Sequence, residues 1–171
     1  MRLSSLRQLL KLSIFIMLSK MNKQGKYVYD WPRPMVTVDA VIFAVTPGAT
    51  KLLLIKRGHE PFKNQWAIPG GFIGMDEELE DAAARELQEE TGLTGVPLEQ
   101  MHTFGTCGRD PRGRQITVVY MGIIKEGLDH IKAGDDAALA QWFDIKALPP
   151  NMAFDHNLVS KLAIERLKSK L

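Results

Sequence analysis

The chain has a single cysteine, Cys107. That excludes an internal disulfide and fits a reducing compartment. No His or Asn pattern accompanies it, so it reads as a small loop residue rather than a nucleophile. Long hydrophobic runs are lacking too. The apolar stretch from Leu12 to Leu18 is far too short to span a bilayer. There is no internal repeat, no low-complexity tract and no second-domain signal. A large charge imbalance is also missing, since the net charge is +2. That small value conceals an asymmetry. Residues 1–26 hold six basic residues and no acidic one, whereas the other 145 residues hold 16 basic and 20 acidic, a net of −4. A mildly acidic body argues against a general nucleic-acid surface.

Residues 1–26 therefore read as a basic and apolar extension, and 27–171 as one domain. Three readings of the extension stand. It is dispensable, with Met17 or Met21 as the true start; it is an interfacial or partner-binding helix; or it is an export signal. No small-x-small cleavage site precedes Met21, which disfavours the last. The expected address is cytoplasmic, with no membrane attachment and no nucleic-acid partner.

What is present is an α/β (α+β) pattern of strands and helices. MVTVDAVIFAV, Met35 to Val45, is rich in β-branched residues and suits a buried strand. Further strands are expected at Lys51–Arg57, Leu98–Thr106, Gln115–Ile124 and Ala138–Phe143, with a short extended piece at Trp66–Pro69. Helices are expected from about Glu78 to Thr91 and from His156 to Leu171. Leu158, Leu162, Ile164 and Leu167 are the packing candidates of the second.

The richest segment runs from Gly71 to Leu93, GFIGMDEELEDAAARELQEETGL. Asp76 can cap its helix and Gly92 can stop it. At about 100° per residue, Leu79, Ala82 and Ala83 mark the inward face. Glu86 and Glu90 project onto that same stripe and Glu89 lies at its edge. Asp81, Ala84, Gln88 and Thr91 face outward. Two or three carboxylates thus point where a core should be. Like charges at i and i+4 repel, and a buried unpaired carboxylate is costly. One arginine, Arg85, cannot neutralise them all. A hard divalent cation, Mg²⁺ or alternatively Mn²⁺, can.

Gly71, five residues, Glu77, seven residues, then Arg85-Glu86-Leu87-Gln88-Glu89-Glu90-Thr91-Gly92-Leu93 resembles the Nudix box. The resemblance implies a hydrolase of nucleoside diphosphates linked to another group. It implies a mixed β-sheet sandwiched between α-helices. It implies metal ligation and catalysis by Glu86, Glu89 and Glu90, with a backbone carbonyl at Gly70 or Gly71 completing the shell. Glu77 and Arg85 become orienting residues. The general base is either a loop carboxylate, Asp135 or Asp136, or one of the box glutamates.

Two further segments resemble ADP-ribose pyrophosphatases of that family: Gly108-Arg-Asp-Pro-Arg-Gly-Arg114 and Tyr29 to Asp39. Lys132 to Phe143 and Ala153-Phe-Asp-His156 add weaker matches. The substrate-binding candidates are Arg57, Arg109, Arg112 and Arg114 for phosphate, and Trp66, Trp31 or Phe62 for stacking on adenine. The expected reaction is metal-dependent hydrolysis of ADP-ribose to AMP and ribose 5-phosphate. The alternatives are another nucleoside diphosphate derivative, such as an oxidised nucleoside triphosphate, a nucleotide sugar or a dinucleoside polyphosphate, and a non-catalytic ADP-ribose sensor. Sensors of this family carry a C-terminal DNA-binding domain. About fifteen residues follow His156 here, and the box carboxylates are intact, so hydrolysis is expected. A homodimer is a further option that the resemblance raises.

Overall fold

The computed structural model describes residues 29–125, 131 and 137–170. The N-terminal extension up to residue 28 and the aspartates Asp135 and Asp136 lie outside the described residues. The chain divides into two compact units at Arg33/Pro34. In the first, the Arg33 guanidinium stands 3.8 Å from the Tyr29 ring centroid. Trp31 belongs to this unit. All that follows concerns the second.

Seven strands and two helices are present among the described residues: β1 (Met35–Thr46), β2 (Ala49–Arg57), β3 (Trp66–Ala67), β4 (Gly70–Phe72), α1 (Leu79–Thr91), β5 (Leu98–Phe104), β6 (Gln115–Ile124), β7 (Ala137–Asp144) and α2 (His156–Lys168). The strands form one mixed sheet in the order β3-β2-β1-β6-β5, with β4 added to β1 and β7 to β2. The β1–β6 pair is parallel and the remaining pairs are antiparallel. Pro47-Gly48 turns β1 into β2, and Gly48 supplies the left-handed φ of 86° that the turn needs.

β1 is central because both of its faces are apolar. Val41 and Phe43 pack with Val159, Ala163 and Leu167 of α2. Ala40 and Ile42 pack with Leu87 of α1 and with Leu93. Alternate residues thus feed cores on opposite faces, and a helix covers each one. Phe43 is fully buried, so Phe43→Ala costs about 3–5 kcal/mol.

The helices correct three expectations. The N-cap position of α1 is Glu78 rather than Asp76, and it makes no side-chain cap bond. Thr91 is fully buried rather than outward. Its hydroxyl donates to the Leu87 carbonyl at 2.5 Å and accepts from the Leu93 amide at 3.2 Å, so its polarity is satisfied locally. In α2, Leu158 and Leu162 are exposed, and the buried stripe is His156, Val159, Ser160, Ala163 and Leu167. Leu167 is buried and Ile164 packs against the core as expected, whereas a stripe through Leu158 and Leu162 misses His156 and Ser160. Gly92 does end α1, with φ 74° and its amide bonded to the Gln88 carbonyl. No helix among the described residues is long and apolar enough to cross a membrane.

Candidate active site

Three features of the fold converge on one cavity of about 360 Å³. The β4 turn enters from the sheet, α1 supplies carboxylates, and the loop before β6 supplies arginines. Pairing of Asp39 with Gly70 sets the β4 turn against β1. The Gly70 amide donates to Glu90 Oε2 at 2.9 Å. A Cβ on Gly71 would lie 2.5–2.6 Å from the Glu86 carboxylate, and one on Gly70 would lie 2.3 Å from the Val38 carbonyl oxygen. Only glycines let this turn press against the helix.

Glu86, Glu90 and Gly71 all line the cavity. Burial pushes the Glu90 carboxyl up to about 8 against the Gly70 hydrogen bond, and the charges of Glu86 and Asp39 add to the rise. Burial likewise raises Glu86, although Arg85 opposes it. Glu89 is turned elsewhere. It is 58% exposed and meets Arg85 at 3.0 Å, away from the cavity lining.

Arg85 gathers the box. It donates to Glu77 at 2.8 and 3.0 Å, to Glu86 at 2.7 Å, to Glu89 at 3.0 Å and to the Phe72 carbonyl at 3.0 Å. Hydrogen bonds from Arg85, then from the Gly74 amide, hold Glu77 down at about 2. The pair ties the loop before α1 to the helix. Glu90 has no arginine hydrogen-bonded to it among the described residues. Among those residues, no three His, Cys, Asp or Glu side chains already surround a common point. The donor set is nonetheless made of hard oxygens, and its charge is in surplus. That surplus, visible in the raised Glu90, is what a hard divalent cation would offset.

The arginine candidates separate into distinct groups. Arg109 is 3% exposed and forms a two-pronged pair with Asp155 at 2.6 and 3.0 Å. Arg112 grips Asp110, whose side chain is fully buried, at 2.7 Å. Burial works against the Asp110 charge, but the hydrogen bonds from Arg112 prevail and hold it below its ordinary value. Arg57 ends β2, donates to the Pro61 carbonyl at 2.8 Å and stands 4.9 Å from the Phe154 centroid. Arg112 lies over the same ring at 5.5 Å and over Phe72 at 5.1 Å. Arg57, Arg109 and Arg112 all line the cavity. Arg114 does not. It is exposed and bonded to the Gly105 carbonyl.

The aromatic candidates also move. Trp66 packs edge-on against Phe143, with centroids 4.7 Å apart, beside the α2 core and not in the cavity lining. Its neighbours on the strand edge claim its face, so adenine stacking on Trp66 is not what the structure offers. Phe62 packs edge-on against Phe154. Phe154 and Phe72 line the cavity, and Phe154 adopts a left-handed φ of 54°. Such a conformation is strained for a bulky residue and is concentrated at functional sites.

Asp39, Gln115, Asp110, Phe154 and His156 line the site and were not among the candidates. A signal existed for Asp39, a lone charge in an otherwise apolar strand. The Ile68 amide donates to His156 Nδ1 at 2.9 Å, which leaves Nε2 facing Asp39 Oδ1 at 3.8 Å. Burial lowers the His156 pKa, which favours the neutral imidazole.

Fold and site together define an α/β protein with a carboxylate-rich cavity bordered by arginines, the setting of phosphate chemistry. The NUDIX domain model matches residues 35–163, and the chain belongs to this family. It is 41% identical over 128 residues to an ADP-ribose pyrophosphatase of Methanocaldococcus jannaschii, covering 75% of this chain and 72% of that one. It is 38% identical to the ADPR responsive transcriptional repressor NtrR of Acinetobacter baylyi, covering 82% of this chain but only 57% of the repressor. The NUDIX domain of Shewanella oneidensis NrtR, solved in complex with ADP ribose, superposes with a TM-score of 0.73 at 31% identity, covering 88% of this chain and 96% of that one.

Proposed function

We propose that this protein hydrolyses the diphosphate of ADP-ribose, giving AMP and ribose 5-phosphate, in a metal-dependent reaction. The observation that carries the reading is the pairing, in one cavity, of surplus buried carboxylates with arginines. Glu86 and Glu90, with the Gly71 backbone, would hold Mg²⁺ or Mn²⁺. Such an ion supplies charge neutralisation for the phosphates and an acidified water. Arg57 and Arg112 bind phosphate oxygens, and Phe154 provides a flat apolar face. Glu77 and Arg85 orient the box. Arg109 positions the loop through Asp155 and does not itself reach for phosphate. The general base is a box glutamate or Asp135 or Asp136. The similarity to the archaeal pyrophosphatase supports this substrate class. The expected setting is cytoplasmic, without membrane or nucleic-acid partners.

A second reading is favoured by one observation, the 38% identity to an ADPR-responsive repressor. In that reading the cavity binds ADP-ribose without cleaving it.

Product analysis separates the two. ADP-ribose, nucleotide sugars, NADH, diadenosine polyphosphates and nucleoside triphosphates are incubated with Mg²⁺, Mn²⁺ or EDTA. Conversion of ADP-ribose to AMP, abolished by EDTA, is the expected result. Preference for triphosphates would overturn the substrate assignment. ADP-ribose binding without turnover would favour the sensor.

A further inference from the structure

Part of the cavity wall is left over once the carboxylates, the arginines and Phe154 have roles. Gln115 opens β6 and pairs in parallel register with Met35 of β1. It is 5% exposed and lines the cavity. Its Nε2 donates to Thr37 Oγ1 at 2.9 Å. Its Oε1 is buried and has no hydrogen-bond partner, alone in this among the described residues. Buried amide oxygens are almost always satisfied, because an unmade bond costs the full desolvation of the group. Asp39 and Asp110 share the cavity lining but, as carboxylates, only accept and so do not serve Oε1. Of the donors in that lining, Arg109 is held by Asp155 and Arg112 by Asp110.

A partner for this amide must come from whatever enters the cavity. The oxygens of a diphosphate linkage accept hydrogen bonds and donate none, so they do not match Oε1. A hydroxyl does. It is neutral and it donates. It also accepts, so it satisfies either edge of an amide whose other edge is held by Thr37.

We propose that Gln115 is a specificity-determining residue that hydrogen-bonds a sugar hydroxyl of the bound nucleotide. The site then selects its ligand by that hydroxyl as well as by the diphosphate. This inference rests on the reading of the cavity as a nucleoside diphosphate site.

The test compares wild type with Gln115→Met, which keeps length and removes the amide. Each is assayed for kcat/KM with ADP-ribose and with a set of analogues that each lack one ribose hydroxyl. The wild type is expected to discriminate against one analogue by about 10- to 100-fold. Gln115→Met loses the same factor on ADP-ribose and treats that analogue and ADP-ribose alike. The analogue that shows the effect identifies which ribose is read. Gln115→Met without ligand removes the orphaned Oε1 but also the bond to Thr37 Oγ1, so the midpoint is expected to change little or fall modestly and the discrimination is the deciding readout. A merely structural glutamine would leave the discrimination unchanged. Should Gln115→Met fail to fold, Thr37→Val removes the anchor of the amide, and partial loss of the same discrimination is expected.

Equal treatment of all analogues by the wild type, with ADP-ribose turned over, overturns the role of Gln115 and leaves the substrate reading intact. Turnover of a different nucleotide sugar, with its hydroxyl discrimination lost in Gln115→Met, keeps the role and overturns the substrate. No binding of any nucleotide sugar overturns both.

Discussion

The box around Arg85 and the loop around Arg109 are both networks of arginine and carboxylate, yet their charge balances differ. In the box, one arginine meets Glu77, Glu86 and Glu89, and Glu90 is left to a backbone amide. In the loop, Arg109 is matched to Asp155 and Arg112 to Asp110, one to one. A surplus of buried negative charge calls for an external cation. A matched set calls for nothing and serves to hold a loop in place. Counting charges therefore says more than finding them. The box reads as chemistry and the buried Arg109 pair as scaffold, whereas Arg112, paired to Asp110 but with its side chain 36% exposed, and Arg57 can still serve the ligand from the cavity wall.

The largest expected effect tests the surplus directly. Glu90→Gln removes one charge and keeps the shape. Activity is expected to fall at least 100- to 1000-fold. Stability is expected to hold or rise, since burial disfavours the Glu90 charge in the folded state. Measuring turnover with Mg²⁺ and urea unfolding on the same preparation separates the two. Retained activity would sink the metal assignment of Glu90.

The matched pair predicts the reverse pattern. Arg109→Ala leaves Asp155 without its partner in a largely buried setting and is expected to cost about 3 kcal/mol of stability. The double variant Arg109→Met, Asp155→Leu recovers much of that loss, because an apolar pair of similar volume replaces the ions. Equal midpoints for Arg109→Ala and wild type in urea unfolding would contradict the scaffold role. Arg57→Ala sits between these cases. It removes from the cavity wall a cation bonded to the Pro61 carbonyl but to no carboxylate among the described residues, so the expected result is a KM raised about tenfold, with a smaller loss of stability than Arg109→Ala.

The difference between the regions also explains what was legible in the sequence. The box was legible because helical periodicity is local. Spacing alone puts Glu86 and Glu90 on the stripe of Ala82 and Ala83, and the structure places all four there or at the cavity wall. The strands were legible because β1, β2 and β6 are buried apolar runs. The partners of the loop arginines were not legible. Asp155 lies 46 positions from Arg109, and nothing in the local pattern announces that contact. The setting of Trp66 is hidden from the sequence for the same reason, since Phe143 reaches it only through the pairing of β3 and β7 with β2. The inward face of α2 was legible in part: Leu167 and Ile164 pack there, but His156 and Ser160 share the face, and hydrophobicity alone does not point to them.

His156 sharpens the comparison with the smallest effect, for it is a buried titratable group inside neither network. Burial, aided by Arg109 and Arg57, outweighs Asp39 and Asp155, which favour protonation, and lowers the pKa from 6.5. As the pH falls, the unfolded chain therefore takes up this proton first. Stability is fully present above about pH 6.5 and declines as the pH drops toward the lower folded-state pKa. A single proton limits the slope to about 1.4 kcal/mol per pH unit. His156→Gln keeps an acceptor for the Ile68 amide and removes the titration. Urea midpoints measured from pH 7.5 to 5 are expected to fall more steeply for wild type than for His156→Gln. Parallel curves would mean that the imidazole titrates alike in the folded and unfolded chain, with Asp39 and Asp155 offsetting burial; a shallower fall for wild type would mean that the ion pair with Asp39 prevails.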